Sequence, residues 1–398
     1  MTGTLLAQVF SFINLVLLAR YLNQSSFGHY SLTLIVLALL MPLNTRKSET
    51  LLVNVVTHKI NAILRLAILR IAFLGMSGPL VLGYVSNQYW KFSINESIVF
   101  GICTYAANAS MNISVLAIAL ALRTRNFLAI ASTGIMQNGF TLFFQILFLQ
   151  FTDSVSTLIF AYFAGRILAL LGFLFWKNFR NTLKQFRVVH HMDDETKALQ
   201  SEKNHLFYSS LLDQISLYSP ILICFLLNEQ ELLGASALAL NFALAPATLI
   251  ISGFSMQFLS HQYAKDDEKK EIIKHSLFTL LALCLIYLTA IIGFALIFSE
   301  NFFGSEWRGI DRLIIAFSIA ITFMIFISPY LQLKISYGHS ETVMRANIAG
   351  LFGVVIVWVL GYSQIPIERV VSFALFGKVL GQSFILCFEK VFHDRNKS

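Results

Sequence analysis

Arg46, Lys47 and Glu49 fall within one turn of the segment "NTRKSETLLV" (44–53), between the nearly all-apolar run 27–43 and the apolar Leu51-Leu52-Val53. The planar fork of Arg and the ammonium of Lys suit phosphate oxygens. Glu49, three residues after Arg46, would share its face on a helix, where it can pair with the arginine or exchange a proton. Further polar groups stand inside other apolar runs: Arg70, Arg166, Asp213 beside Gln214, and Lys378. An ionisable side chain at the centre of a membrane helix costs roughly 2.5–3.5 kcal/mol on insertion scales, so each calls for a reason. The bases either pair with acids and backbone carbonyls inside their own bundle, or face a water-filled cavity and attract an anion. The turn at Arg46 likewise has two readings. It is a cytoplasmic anchor ending its apolar run, or the helix continues through "LLVNVV" to about residue 56 and lines the inner mouth of a cavity.

The elements that carry these groups follow from the solvent. The chain has 398 residues, 57% hydrophobic and 13% charged, with a mean hydropathy of +0.70. A soluble domain carries about 25% charged residues, so the main solvent here is lipid. The net charge of +8 does not point to nucleic acid, because the basic residues sit in gaps between apolar runs. A bilayer core of about 30 Å needs about 20 residues of helix. Twelve such stretches are present: 3–22, 27–45 with the extension to 56, 62–84, 97–122, 126–151, 154–176, 206–228, 233–262, 272–298, 309–336, 343–362 and 367–389. Lipid cannot satisfy open backbone groups, so helices are expected; the short alternating strands of a barrel are absent. No basic segment precedes the first apolar run, as a cleavable signal would require.

Every second gap, together with the C-terminal end, holds most of the 29 Lys and Arg. Both termini are therefore expected to face the cytoplasm. The segment 177–205 separates an N-terminal six-helix lobe (1–176) from a C-terminal one (206–398). It contains His190-His191 and Asp193-Asp194; with no third element to complete a metal site, it reads as a solvated cytoplasmic linker. Cys103, Cys224, Cys284 and Cys387 each lie inside an apolar run and read as small core residues. No metal ligand set and no cofactor is implied.

The halves resemble each other. "FGHYSLTLIVLALLMPL" (27–43) aligns with "LGASALALNFALAPATLI" (233–250), and "FAGRILALL" (163–171) with "LFGKVLGQS" (375–383). The second alignment makes Arg166 and Lys378 counterparts. An even number of helices per half gives both repeats the same orientation, related by an axis along the membrane normal, with a substrate path between them. Gly377 and Gly381, four apart, read as a close helix-packing face. The chain lacks GxGxxG, P-loop, GxSxG and HExxH patterns. That argues against an ATP-driven pump in this chain, and the short noncytoplasmic loops argue against a glycan polymerase or ligase. An enzyme is not expected.

The segment "TGTLLAQVFSFINLVLLARYLNQSSFGHYSLTL" resembles the first two helices of Wzx-type O-antigen and polysaccharide flippases, of the multidrug/oligosaccharidyl-lipid/polysaccharide exporter superfamily. The resemblance rests on Gly3-Thr4 with Gln8, Arg20-Tyr21, Phe27-Gly28 with Tyr30, and Arg46 with Glu49. It extends to "FFGSEWRGIDRL" (302–313), through Phe303, Gly304 and Trp307, and to "FISPYLQLKISYGHSE" (326–341). Lys47 departs from the pattern, standing where an aromatic is common. The first stretch begins almost at Met1 where that family often has a short cytoplasmic lead, which implies a start further upstream.

The resemblance implies an all-α polytopic membrane protein with two six-helix lobes around a central cavity. It implies an undecaprenyl-pyrophosphate-linked glycan as substrate, moved from the inner to the outer leaflet of the bacterial inner membrane by ion-coupled alternating access. Membrane lipids and other polysaccharide-assembly membrane proteins are the implied partners. Under that arrangement Arg46, Lys47, Gln214 and Gln257 are cavity residues, Glu49 and Asp213 ion-coupling candidates, and Arg166 and Lys378 lie further back. A drug or cation antiporter of the same superfamily is the alternative, but it would want an acidic cavity.

Overall fold

The computed structural model describes residues 2–46, 48–49, 52, 60–88, 92–123, 126–151, 154–175, 195–260, 266–336, 339–362 and 365–395. Among these the regular structure is helical, and no strand is present. The long helices are α1 (Thr2–Tyr21), α2 (Gln24–Thr45), α3 (Ile60–Leu74), α4 (Ser77–Gln88), α5 (Ile94–Arg123), α6 (Phe127–Leu149), α7 (Val155–Phe175), α8 (Glu195–Leu217), α9 (Ser219–Leu226), α10 (Gln230–Ser260), α11 (Asp266–Phe303), α12 (Ile310–Ser336), α13 (Ser340–Tyr362) and α14 (Ile367–Arg395). Nine described spans are long and apolar enough to cross a membrane, or ten if the pair α8–α9, bent by 64°, is one broken span. Large apolar side chains on their outer faces are open: Phe73, Leu80, Phe278 and Leu128 are each at least 70% exposed. In water such a surface would associate; in hydrocarbon it is solvated. The chain is a multi-pass membrane protein.

Local signals set several boundaries. At the start of α5, the Ser93 hydroxyl accepts from the Glu96 amide (3.3 Å) and the Glu96 carboxylate accepts from the Ser93 amide (2.8 Å), a reciprocal capping box. At α6, the Asn126 side chain accepts from the Ala129 amide at 3.1 Å, as an N-cap does. The stretch 62–84, expected as one helix, is broken at Gly75-Met76 into α3 and α4. In the stretch expected to run on to 56, α2 ends at Thr45, and Ser48, Glu49 and Leu52 are helical again beyond the turn. Arg46 takes a left-handed φ of 46°, and its amide makes the last bond, to the Pro42 carbonyl at 2.8 Å. Residues 53–59 lie outside the described residues, as does 176–194 with the His190-His191 and Asp193-Asp194 cluster. The C-terminal part of the expected linker is helical, because α8 begins at Glu195. Cys103, Cys224 and Cys284 are buried as expected; Cys387 is exposed, since its position on α14 falls on the outer face.

By its contacts the chain divides into two units, Met1–Leu22 with His29–Phe207, and Asn23–Gly28 with Tyr208–Ser398. In the first unit α7 packs most extensively on α6, and α6 in turn on α1. In the second, α14 packs on α13, and α12 on α10 and α11. The glycine preceding each repeat-related base is the contact point. A Cβ at Gly165 would stand 2.5 Å from the Thr141 amide, and one at Gly377 would stand 2.4 Å from the Gly353 carbonyl. Without a side chain the two backbones approach each other directly.

The second unit also explains the "FG" and "FG-x-x-W" motifs. The Phe27 ring meets Trp307 edge-on at 5.4 Å, and Trp307 is fully enclosed. Gly304 supplies the φ of 109° that opens the short 3-10 turn Ser305–Trp307, a conformation that a Cβ disfavours.

The glycine contact gives a stability prediction. Gly377→Val forces α13 and α14 apart and is expected to destabilise the second unit by roughly 1–3 kcal/mol or more. This is to be read as lower thermal stability in detergent and lower membrane abundance, with Gly293→Val, where nothing lies within 4 Å of an added Cβ, as the neutral control.

Candidate functional site

In the first unit the polar groups gather where α2 stops. Pro42 lies within the last turn of α2, and beyond it Asn44 and Thr45 are fully buried while Arg46 is exposed. The left-handed turn removes Arg46 from the helical register, so Arg46 and Glu49 do not share a helix face as expected. The Arg46 guanidinium instead lies 5.9 Å above the Phe207 ring, a cation–π contact. Glu49 is half-buried. Arg70 is half-buried on α3. Its Nη1 is buried with no hydrogen-bond partner among the described residues. A guanidinium N–H on α3 is thus buried and unsatisfied among the described residues. In lipid that arrangement carries a cost which an anion would remove.

Beside them is a group of amides that the sequence reading did not single out. Asn44, Asn108 and Asn112 are fully buried. Asn108 Oδ1 accepts from Asn44 Nδ2 at 3.1 Å and from Asn112 Nδ2 at 2.8 Å, and Asn108 Nδ2 donates to the Gly75 carbonyl at 3.2 Å. The amides therefore tie the end of α2 to α5 and to the break between α3 and α4. The signal was present: Asn108 and Asn112 are four apart on one face of an apolar helix.

Arg166 is held deep within the same unit. Its Nη1 donates to Gln137 Oε1 at 2.7 Å, and its guanidinium lies 4.9 Å from the Tyr162 ring centroid. It is a cation held by a neutral amide and an aromatic face.

In the second unit Asp213 meets Lys378. Lys378 Nζ stands 2.9 Å from Asp213 Oδ1 and donates to the Asp213 carbonyl at 3.1 Å. The lysine side chain is fully enclosed; the aspartate side chain is 43% exposed. Gln382, one turn after Lys378, donates to Asp213 Oδ1 at 3.4 Å and to Asn347 Oδ1 at 2.7 Å. Asn347 donates to the Ser209 carbonyl and hydroxyl at 3.0 and 2.8 Å. One network thus joins α8, α13 and α14. Gln382 and Asn347 were not foreseen, although the spacing of Lys378 and Gln382 marks a shared face. Gln214 is half-buried, and its Oε1 has no hydrogen-bond partner among the described residues. Lys47 and the side chain of Gln257 lie outside the described residues. A cavity of about 550 Å³ between α4 and α5, lined by groups such as Pro79, Gly83 and Ile98, contains none of the expected site residues.

No family model and no curated protein matches the sequence. Solved structures do match. The chain is similar to a lipid II flippase, MurJ, in an inward closed conformation, with a TM-score of 0.63 at 14% identity over 97% of this chain and 86% of that one. It is similar to a multidrug resistance MATE family transporter of the MOP superfamily in an inward-facing conformation, with a TM-score of 0.64 at 11% identity over 96% of both chains. A MATE transporter of Vibrio cholerae gives 0.63 at 12% identity over 98% of this chain and 94% of that one. The fold is that of the MOP-type transporters. These neighbours are a flippase and transporters.

The two kinds of cation environment separate in a stability measurement. Arg166→Ala leaves Gln137 without its partner, and is expected to cost about 1–3 kcal/mol. Arg46→Ala removes an exposed group and is expected to stay within about 0.5 kcal/mol of the parent. Thermal or denaturant unfolding of the two purified variants in the same detergent checks the difference.

Proposed function

We propose that the chain is a flippase that moves polyprenyl-pyrophosphate-linked oligosaccharide units from the cytoplasmic to the outer leaflet of the bacterial inner membrane, by ion-coupled alternating access. The observation that carries this reading is Arg70 on a membrane-spanning helix, its Nη1 buried with no hydrogen-bond partner among the described residues, in the unit that also holds Arg46. A diphosphate supplies the missing negative charge, and its oxygens fit the guanidinium fork bidentately. The glycan needs a polar path while the lipid tail stays in hydrocarbon. Gln214, with its unpartnered carbonyl oxygen, and Gln257 are the amides that would contact sugar hydroxyls, and Lys47 adds to the positive charge beside Arg46. Glu49 and Asp213 are the carboxylates that would exchange the coupling ion. The likeness in fold to a lipid II flippase supports a lipid-linked substrate, and the resemblance at Gly3-Thr4, Phe27-Gly28 and Phe303-Gly304 supports a glycan carrier of the O-antigen type.

A second reading, a drug or cation antiporter, draws on the MATE transporters with the same fold. It requires an acidic site for a cation. Asp213 already has a cation, Lys378, which favours the anionic substrate.

The test is complementation of a flippase-deficient strain. The parent chain restores surface glycan and clears the accumulated lipid-linked intermediate. Arg46→Ala is expected to lower the flipping rate by about 10–100-fold, the loss of one hydrogen bond to a charged group, at unchanged membrane abundance. Arg46→Lys retains part of the activity. Normal glycan in Arg46→Ala would reduce Arg46 to an anchor at the end of α2 and remove the reading.

A further inference from the structure

Arg166 is a cation whose neighbouring helices bring it no negative charge. It lies within the membrane span Val155–Gly172 and is the only charged residue of α7. α7 packs on α6 and α5. α6 contains no charged residue. The one acid of α5, Glu96, stands in its first turn and caps it through Ser93. α1, which packs on α6, contains no acid, nor does α2, whose Tyr30 reaches α6 at Gln145. Hydrogen bonds are wanting as well. Arg166 Nη1 is spent on Gln137 Oε1, and one face of the guanidinium on the Tyr162 ring. Arg166 Nε, Gln137 Nε2 and Thr141 Oγ1 are buried with no hydrogen-bond partner among the described residues. Gln137 and Thr141 are only 6% and 5% exposed, and their four-residue spacing on α6 puts them on one face. That face is the one against Arg166: Gln137 bonds it, and a Cβ at neighbouring Gly165 would stand 2.7 Å from Thr141 Oγ1. Each of the three unpartnered groups can donate a hydrogen bond. One turn further on, Gln145 has its amide nitrogen on the Tyr30 hydroxyl at 2.7 Å, which bounds the donor set.

We propose that Arg166, Gln137 and Thr141 hold a small monovalent anion of the halide class inside the first unit. Water would satisfy the donors and leave the guanidinium uncompensated in lipid; an anion does both. The counter-charge has to come from solution, because the helices around Arg166 have no acid to place beside it. One guanidinium matches one negative charge. The close approach of α6 and α7 at Gly165, where an added Cβ would stand 2.5 Å from the Thr141 amide, favours a spherical ion over a carboxylate or phosphate, which needs room for several oxygens. None of these residues belongs to the diphosphate site proposed above, and the inference does not depend on the cargo.

The test uses the full chain in nanodiscs, unfolded by heat at fixed ionic strength while sodium gluconate, whose anion is too large for the site, is replaced stepwise by sodium chloride or bromide. The parent is expected to gain stability from either halide with a saturating dependence, the mark of a ligand bound by the folded state. Thr141→Val keeps the shape beside Gly165 and removes one donor. It should raise the half-saturating halide concentration about 10–100-fold, the loss of one hydrogen bond to a charged group. Arg166→Gln removes the charge and should abolish the response, whereas Arg70→Gln should keep it. Crystals grown in bromide should show anomalous scattering beside Arg166. A parent indifferent to halide, an undiminished response in Thr141→Val, a response lost in Arg70→Gln, or no bromide beside Arg166 overturns the proposal and leaves the three donors to water. Normal glycan in Arg46→Ala would remove the flippase reading and leave the halide response as it is.

Discussion

A charge in hydrocarbon must be enclosed with a partner, and that single constraint sorts the basic residues of this protein. Lys378 is enclosed with a carboxylate and a carbonyl. Arg166 is held by an amide and a tyrosine face. Arg123, at the end of α5, donates to the Leu52 carbonyl at 3.1 Å. Arg46 lies over the Phe207 ring, and Arg70 Nη1 has no hydrogen-bond partner among the described residues. The same constraint acts on the backbone. Where α3 breaks into α4, the Gly75 carbonyl would lack a partner in lipid, and buried Asn108 supplies one. The amide cluster and the paired bases therefore answer to the same solvent.

That solvent is also why the fold was legible in the sequence. Apolar stretches of the right length announce helices because nothing else can cross a bilayer without open hydrogen bonds, and each of the twelve stretches contains a described helix. Caps were legible where side chains make them, as in Ser93 and Glu96. The end of α2 was not. A helix that stops with a left-handed residue usually has Gly or Asn there, and here it has Arg46. Composition gives no warning of this, because the run from 27 to 43 is nearly all apolar and no Gly marks its end. The error had a consequence for the site: it placed Arg46 and Glu49 on one face, which the turn at Arg46 prevents.

The internal repeat allowed the bases to be found but not their partners. Gly165-Arg166 and Gly377-Lys378 stand out because a small residue followed by a base is unusual in an apolar run. In both places the glycine proves to be where the helix touches its neighbour. The partners lie far off in sequence, Gln137 on α6 and Asp213 on α8, and no local rule connects them. What a local rule does reach is the second member on the same face. Gln382 follows Lys378 by one turn, and Asn112 follows Asn108 in the same way. Both take part in the networks observed, and the four-residue spacing of buried amides was the signal available.

The two repeats have diverged in the one property that matters to an ion. In the first unit the conserved geometry, a glycine contact followed by a base, ends on a neutral amide, so Arg166 retains its positive charge. In the second unit it ends on a carboxylate, so Lys378 is neutralised. Arg46 and Arg70 belong to the first unit as well. The contacts of the two repeat-related bases therefore leave a positive charge in the first unit and balance one in the second. A purely structural use of buried bases would not require this imbalance, since an acid in place of Gln137 would satisfy Arg166 as fully as Asp213 satisfies Lys378. The anions proposed above would give it a purpose: the first unit would attract the diphosphate and hold the halide, and the second would compete for neither.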